Sequence, residues 1–285
     1  MEKVAARPIM IQGTASGVGK TILVMALCRI FREDGYKVAP FKSQNMTRNT
    51  ALTKGGDEIA VSQLLQAKAA GIEPETRMNP IVLKPSPEHK ETEIILNGHY
   101  YGKVSAVNYG EIKDALTVEV MKAYTGLSEH FEIMVVEGAG GPVELNLKDD
   151  DMVNMGIARR LNAPVLLVAD VDRGGVFASL YGTIGLLGES DRKYVKAVIV
   201  NRFKGDLSYF GDGVKILEQI TGLPVAGVVP YIHFSMPEED GLFNTSDVKY
   251  AGGDFDSQFD LIADNVRRAL DMELVYKILN TGVEE

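Results

Sequence analysis

The chain has 285 residues and is 45% hydrophobic, enough for one large α/β domain or one domain with an appendage. Its formal net charge of −9 argues against nucleic acid as the main partner, because phosphate backbones need a basic footprint. No apolar run approaches membrane-spanning length, Met1 to Arg7 lack an apolar signal core, and a single cysteine excludes an intrachain disulfide, so the expectation is a cytoplasmic protein without membrane or nucleic-acid partners.

The apolar run Pro8-Ile9-Met10-Ile11 predicts a buried strand. It leads into Gly13-Thr14-Ala15-Ser16-Gly17-Val18-Gly19-Lys20-Thr21, and then into Ile22-Leu23-Val24-Met25-Ala26-Leu27, a helix continuing to about Glu33. Strand, glycine-rich turn and helix form the setting of a phosphate-binding loop. Glycines let backbone N–H groups converge on an anion without interference from Cβ atoms, and the helix N-terminus adds unpaired N–H groups. Gly13, Thr14, Ser16, Gly17, Val18, Gly19, Lys20 and Thr21 are therefore assigned to a nucleotide. Lys20 reaches toward the β- and γ-phosphates, and the Thr21 hydroxyl is a magnesium ligand. The pattern G-x-x-x-x-G-K-[ST] is broken at Thr14, with Gly13 one residue early. Cys28, in the helix behind the loop, reads as a buried small hydrophobe.

Lys37 to Phe41 predicts a second strand, followed by the polar stretch Lys42-Ser43-Gln44-Asn45-Met46. Ligands bind beyond the carboxyl ends of parallel strands, so Lys42 is either a phosphate or carboxylate contact or a solvated lysine. Asp57 and Glu58 precede an amphipathic helix reaching about Ala70. They suit a helix start, and Glu58 has a sharper reading as a magnesium ligand. Met78 to Pro85 and Glu93 to Leu96 predict short strands, the latter ending in the turn Asn97-Gly98. They form an insertion between parallel strands that could contact substrate. A helix is expected from Tyr109 to Tyr124. Phe131 to Val136 predicts a buried strand ending in Glu137-Gly138-Ala139-Gly140-Gly141. An acid there, facing a phosphate loop, would bind magnesium or its water shell.

Asn146 to Asp151 places acids ahead of a helix from Met152 to Leu161. One of them caps the helix, and the others are open to solvent, metal or substrate. Pro164 to Ala169 predicts another strand, ending in Asp170-Val171-Asp172-Arg173-Gly174-Gly175. Val195 to Val200 predicts the next, ending in Asn201, whose amide could read a nucleobase edge. Arg202 and Lys204 stand where the guanine motif N-K-x-D needs lysine and aspartate, so ATP is preferred over GTP. A helix at Val214 to Thr221 and a strand at Val225 to Val228 complete the alternation. The fold class is therefore α/β, a P-loop NTPase-type doubly wound, mostly parallel sheet flanked by helices. Residues 237–254 read as a polar linker. From Phe255 to Ile278, apolar residues recur at helical spacing, predicting a C-terminal amphipathic helix docked on the domain or a partner.

Several stretches together resemble the cobyric acid synthase family: Gly13 to Thr21, Phe41 to Met46, Met78-Asn79-Pro80, Glu137 to Gly140, Asn146-Leu147, Asn154-Met155-Gly156, Asp170 to Ser179 and Gly227 to Tyr231. The loop alone is shared with dethiobiotin synthetase. The resemblance implies a synthetase domain over residues 1–236 and a helical tail over 255–285. It implies ATP-dependent amidation of the b, d, e and g carboxylates of adenosylcobyrinic acid a,c-diamide through an acyl phosphate. By the same analogy Lys20, Thr21, Glu58 and Glu137 would hold ATP and Mg2+, Lys42 would stabilise the transferring phosphoryl, and Asn201 would contact adenine. Asp149, Asp172 and Arg173 would handle substrate. The family carries a glutaminase domain with a cysteine nucleophile, which this chain lacks, so ammonia is expected from elsewhere and glutaminase activity is expected to be absent. A homodimer is left open. Two other readings are a partition-type ATPase, which normally carries lysine at the position of Ala15, and a corrinoid-binding module without turnover.

Overall fold

The computed structural model describes residues 6–86, 91–105, 108–145, 151–236 and 255–283. Its centre is a six-stranded sheet of β1 (Arg7–Gly13), β2 (Val38–Phe41), β9 (Ile133–Glu137), β10 (Val165–Asp170), β11 (Val195–Phe203) and β12 (Val225–Pro230). Their order is β12-β11-β10-β1-β9-β2, and every pairing is parallel. β2, β9 and β10 are buried at every residue, because helices cover both faces of a parallel sheet. This is why these segments read as unbroken apolar runs rather than alternating ones.

Helix α1 (Lys20–Glu33) links β1 to β2, which lies two places away, beyond β9. β10, β11 and β12 extend the sheet in the opposite direction. The order reverses beside β1, the kind of switch point at whose carboxyl end open α/β sheets bind ligands. Helices α2 (Val61–Ala69), α3 (Tyr109–Ser128), α4 (Met155–Leu161), α5 (Val176–Leu186), α6 (Glu189–Arg192) and α7 (Gly211–Thr221) follow along the chain.

The insertion after β2 forms its own sheet. β3 (Gln44–Met46), β6 (Ile81–Pro85), β7 (Thr92–Leu96) and β8 (His99–Val104) lie in the order β3-β6-β7-β8. β3 is parallel to β6 and the other pairs are antiparallel. The expected turn between β7 and β8 has Asn97 at φ 49° and Gly98 at φ 87°, the left-handed pair that a two-residue hairpin loop needs. A small hairpin, β4 (Thr50–Leu52) with β5 (Glu58–Ala60), precedes α2. Asp57 and Glu58 therefore do not start the helix. Glu58 opens a strand, and α2 begins three residues later after Ala60, with no side-chain cap.

The C-terminal amphipathic stretch is two helices, α8 (Asp256–Ala269) and α9 (Met272–Thr281), docked on α1, β1 and β12. The break falls where Leu270 bridges Gly227 of β12 and the Asp271 N–H donates to the Ala226 carbonyl at 2.7 Å. A Cβ on Gly227 would lie 2.2 Å from the Ala269 carbonyl oxygen, so that approach needs glycine. The Asp271 carboxylate then accepts from the Leu274 N–H and caps α9. Phe259, Ile262, Val266, Val275 and Leu279 join the main core. Among the described residues no helix is long and apolar enough to cross a membrane.

Candidate functional site

The loop from Gly13 to Lys20 leaves β1 and enters α1 directly, with Gly17 at φ 71° and Gly19 at φ 93°. These left-handed conformations turn the backbone around what would be an anion. Lys20 is buried. Its Nζ donates to the carbonyls of Ala15 at 3.0 Å and Gly140 at 3.1 Å, so it spans the loop and the turn after β9.

Thr21, half-buried in the first turn of α1, faces Glu137 at the end of β9. The Thr21 hydroxyl donates to Glu137 Oε1 at 2.8 Å, and Lys42 Nζ donates to the same oxygen at 2.8 Å. Glu137 is 1% exposed and Lys42 4%, so Lys42 is a buried ion-pair partner and not a solvated lysine. A carboxylate this deep requires both a counter-charge and hydrogen bonds. The backbone at Lys42 is fixed from both directions. The Lys42 N–H donates to the Met78 carbonyl, and the Asn79 side-chain amide donates to the Lys42 carbonyl at 3.0 Å. That gives Met78-Asn79-Pro80 a physical role, which is to aim the lysine.

Asn154 orders the turn beyond Glu137. It accepts from the Ala139 N–H and donates to the carbonyls of Ala139 and Gly141. Asp151 in turn accepts from the N–H groups of Val153, Asn154 and Gly156, which makes it the acid that orders the entry to α4. Asp149 lies outside the described residues.

On the other side of the loop, Asn201 ends its sheet run against β10 and donates to the Val18 carbonyl at 2.8 Å. In this structure its amide nitrogen braces the phosphate loop. Asp170 receives Arg202 at 3.0 Å and Arg173 at 3.5 Å, and the Arg173 guanidinium lies against Gly17. Asp172 pairs with Lys204 at 2.9 Å. Arg173 is thus brought to the loop, whereas Asp172 faces away into a surface pair. Glu58 is not gathered with Thr21 and Glu137; its carboxylate is held by Lys84 and by the Thr50 hydroxyl beside the small hairpin.

Gln66, on α2, is wholly buried, and its amide donates to Glu137 Oε2 at 2.6 Å. The sequence reading missed it, because polar positions of an amphipathic helix read as its solvent face. The available signal was the glutamine pair Gln63 and Gln66 at helical spacing. Cys28 is fully buried; burial first, and the Glu137 carboxylate second, push its thiol pKa far up, so it is inert.

The donor set fits magnesium, a hard cation that takes oxygen ligands and keeps few protein contacts beside phosphate. One hydroxyl and one carboxylate oxygen meet at the loop. Among the described residues no cluster of three or more His, Cys, Asp or Glu side chains could hold a metal unaided.

A parallel sheet with its strand order reversing at β1, a glycine-rich loop into a helix and a buried acid on the adjacent strand define a P-loop NTPase-type protein. The chain belongs to the AAA_26 family, described as an AAA domain, whose model matches residues 7–239. It is 49% identical over 234 residues to a cobyric acid synthase of Photorhabdus laumondii, covering 82% of this chain and 46% of the relative. It is 52% identical over 233 residues to one from Clostridium tetani, covering 82% of this chain and 47% of that protein. The chain therefore spans about half the length of the curated relatives it matches. Among solved structures it is similar to the MinD cell division protein of Aquifex aeolicus, with a TM-score of 0.43, 18% identity and coverage of 92% of this chain and 96% of the other.

Proposed function

We propose that this chain is the ATP-dependent amidating part of a cobyric acid synthase, and that it activates peripheral carboxylates of adenosylcobyrinic acid a,c-diamide. The observation that carries the reading is the buried Lys42–Glu137–Thr21 group at the mouth of the phosphate loop, in a chain about half identical to curated cobyric acid synthases. A carboxylate does not react with ammonia until one oxygen becomes a leaving group. A substrate carboxylate oxygen attacks the γ-phosphorus of ATP, the bond to the β-bridging oxygen breaks, and ADP leaves. Ammonia then attacks the acyl carbon, phosphate departs with the carbon–oxygen bonding pair, and the nitrogen loses a proton to give the amide.

On this reading each residue takes a role that its position supports. The loop amides and Lys20 bind the phosphates, and Arg173 adds positive charge beside Gly17. Lys42, aimed by Asn79, stabilises the phosphoryl group in transfer. Thr21 and Glu137 would hold Mg2+, which supplies charge neutralisation on the phosphates. Asn201 keeps the loop in shape, and Asp172 is left as a weaker candidate for substrate handling. The nitrogen enters as ammonia.

The test is phosphate release by the purified chain with ATP, Mg2+, corrinoid diamide and ammonium, with mass spectrometry of the corrinoid. Dependence on both corrinoid and ammonium, with successive mass changes for amidation, is expected. ATP turnover indifferent to corrinoid overturns the reading.

A further inference from the structure

Behind the candidate site a chain of buried amides runs away from Glu137. Gln66 Nε2 donates to Glu137 Oε2 at 2.6 Å, and also lies 3.4 Å from the Thr21 carbonyl. Gln63 Nε2 donates to Gln66 Oε1 at 3.4 Å, and Asn45 Nδ2 donates to Gln63 Oε1 at 2.9 Å and to the Ser62 hydroxyl at 3.0 Å. Gln63 and Gln66 are 0% exposed and Asn45 3%. Such a row of polar groups is costly to bury unless every member is satisfied in one arrangement.

The carboxylate sets that arrangement. Glu137 Oε2 accepts, so Gln66 turns its NH2 toward it and its oxygen toward Gln63. Gln63 must then present NH2 to Gln66 and its own oxygen to Asn45. Asn45, on β3, closes the row as donor. With Oε2 engaged behind, Oε1 is left to face Thr21 and Lys42. The row also ties β3, which follows directly from Lys42, to the acid at the phosphate loop.

We propose that Gln66, backed by Gln63 and Asn45, is a positioning residue that holds the Glu137 carboxylate turned toward the metal side of the phosphate loop. This rests on the reading that the site takes ATP with magnesium. Outer partners of metal ligands typically tune metal affinity by about 10–100-fold, and they do so without touching the metal.

The test measures metal and nucleotide separately on the full chain. Mn2+ binding in the presence of a non-hydrolysable ATP analogue is followed by electron paramagnetic resonance, and ATP binding in EDTA by calorimetry. Gln66→Leu is expected to weaken Mn2+ binding by about tenfold, the lower end of the outer-partner range, while metal-free ATP affinity stays within about twofold. Asn45→Asp keeps the volume but offers an acceptor where the row needs a donor. It guards against a Gln66 variant that fails to fold, and is expected to show a smaller loss in the same direction. Wild-type Mn2+ affinity in both variants overturns the proposal, as does an equal loss of metal-free ATP binding, which marks a purely structural role. Wild-type protein that binds nucleotide in neither condition overturns the ATP reading and this inference together.

Discussion

Lys42 and Glu137 meet at 2.8 Å with side chains 5% and 0% exposed, so each charge is buried against the other. Removing one member of a buried pair strands its partner, at a cost of about 3–5 kcal/mol. Lys42→Met should therefore destabilise the protein by roughly 3 kcal/mol, moderated by the Thr21 and Gln66 hydrogen bonds that Glu137 keeps. Adding Glu137→Gln should recover most of that loss, because no unpaired charge remains. Turnover should stay depressed by about 100-fold or more in both variants, since the group proposed to stabilise developing charge is gone. Urea unfolding and phosphate release check the two expectations independently. Additive stability losses would show that the two charges do not depend on one another.

Gly19 and Asn201 are linked in a different way. A Cβ on Gly19 would sit 2.2 Å from Asn201 Nδ2, and Gly19 has φ +93°. Asn201→Ala should cost about 1–3 kcal/mol, because the Val18 carbonyl loses its buried donor. Gly19→Ala should be worse, combining the collision with a left-handed backbone penalty of about 1–3 kcal/mol. The double variant should cost less than the sum, since the collision disappears while the backbone penalty persists. Thermal melts with and without ATP provide the measurement. Full additivity would place the trouble at Gly19 in its backbone alone.

Local patterns carried most of this site. The phosphate loop, the acid ending β9 and the lysine just after β2 each lie at the carboxyl end of an apolar run that reads as a buried strand, so their common side of the sheet follows from chain order. What could not be read depends on partners far off in sequence. Gln66 meets Glu137 across 71 positions, and Asn154 meets Ala139 across 15. The hairpin β4–β5 took Asp57 and Glu58 out of the expected helix start, since strand pairing with Thr50 to Leu52 outweighs a local capping preference. Helical periodicity likewise ran straight through Leu270, and only the contact with Gly227 marks the break.

Buried phenols give the protein an alkaline limit. Tyr109 donates to the Gln44 side chain, and burial pushes its pKa up to about 12. Burial also raises Tyr124, and burial together with the Asp34 carboxylate raises Tyr276. A folded-state pKa above the unfolded value, about 10, means that the folded state holds the proton more tightly. The associated stability is complete below pH of about 10 and drains away as pH rises toward 12. Urea midpoints should fall across that interval, and Tyr124→Phe should flatten the fall. A midpoint constant to pH 12 would contradict this.

The docking of the C-terminal helices separates apolar packing from surface charge. Arg267 of α8 reaches Glu33 at 3.1 Å and Asp34 at 2.9 Å at the far end of α1, but these groups are about a third exposed. Exposed pairs are typically worth only about 0–1 kcal/mol. Ile262, on the same helix, is 0% exposed within the main core. Truncating such a side chain removes its burial and leaves a cavity, at about 2–5 kcal/mol. Ile262→Ala should therefore shift the urea midpoint several times further than Arg267→Ala. Neither should change ATP affinity while the protein is folded, because neither residue belongs to the phosphate loop or the groups around it. A larger loss from the arginine would mean that charge, not burial, seats the tail on the domain.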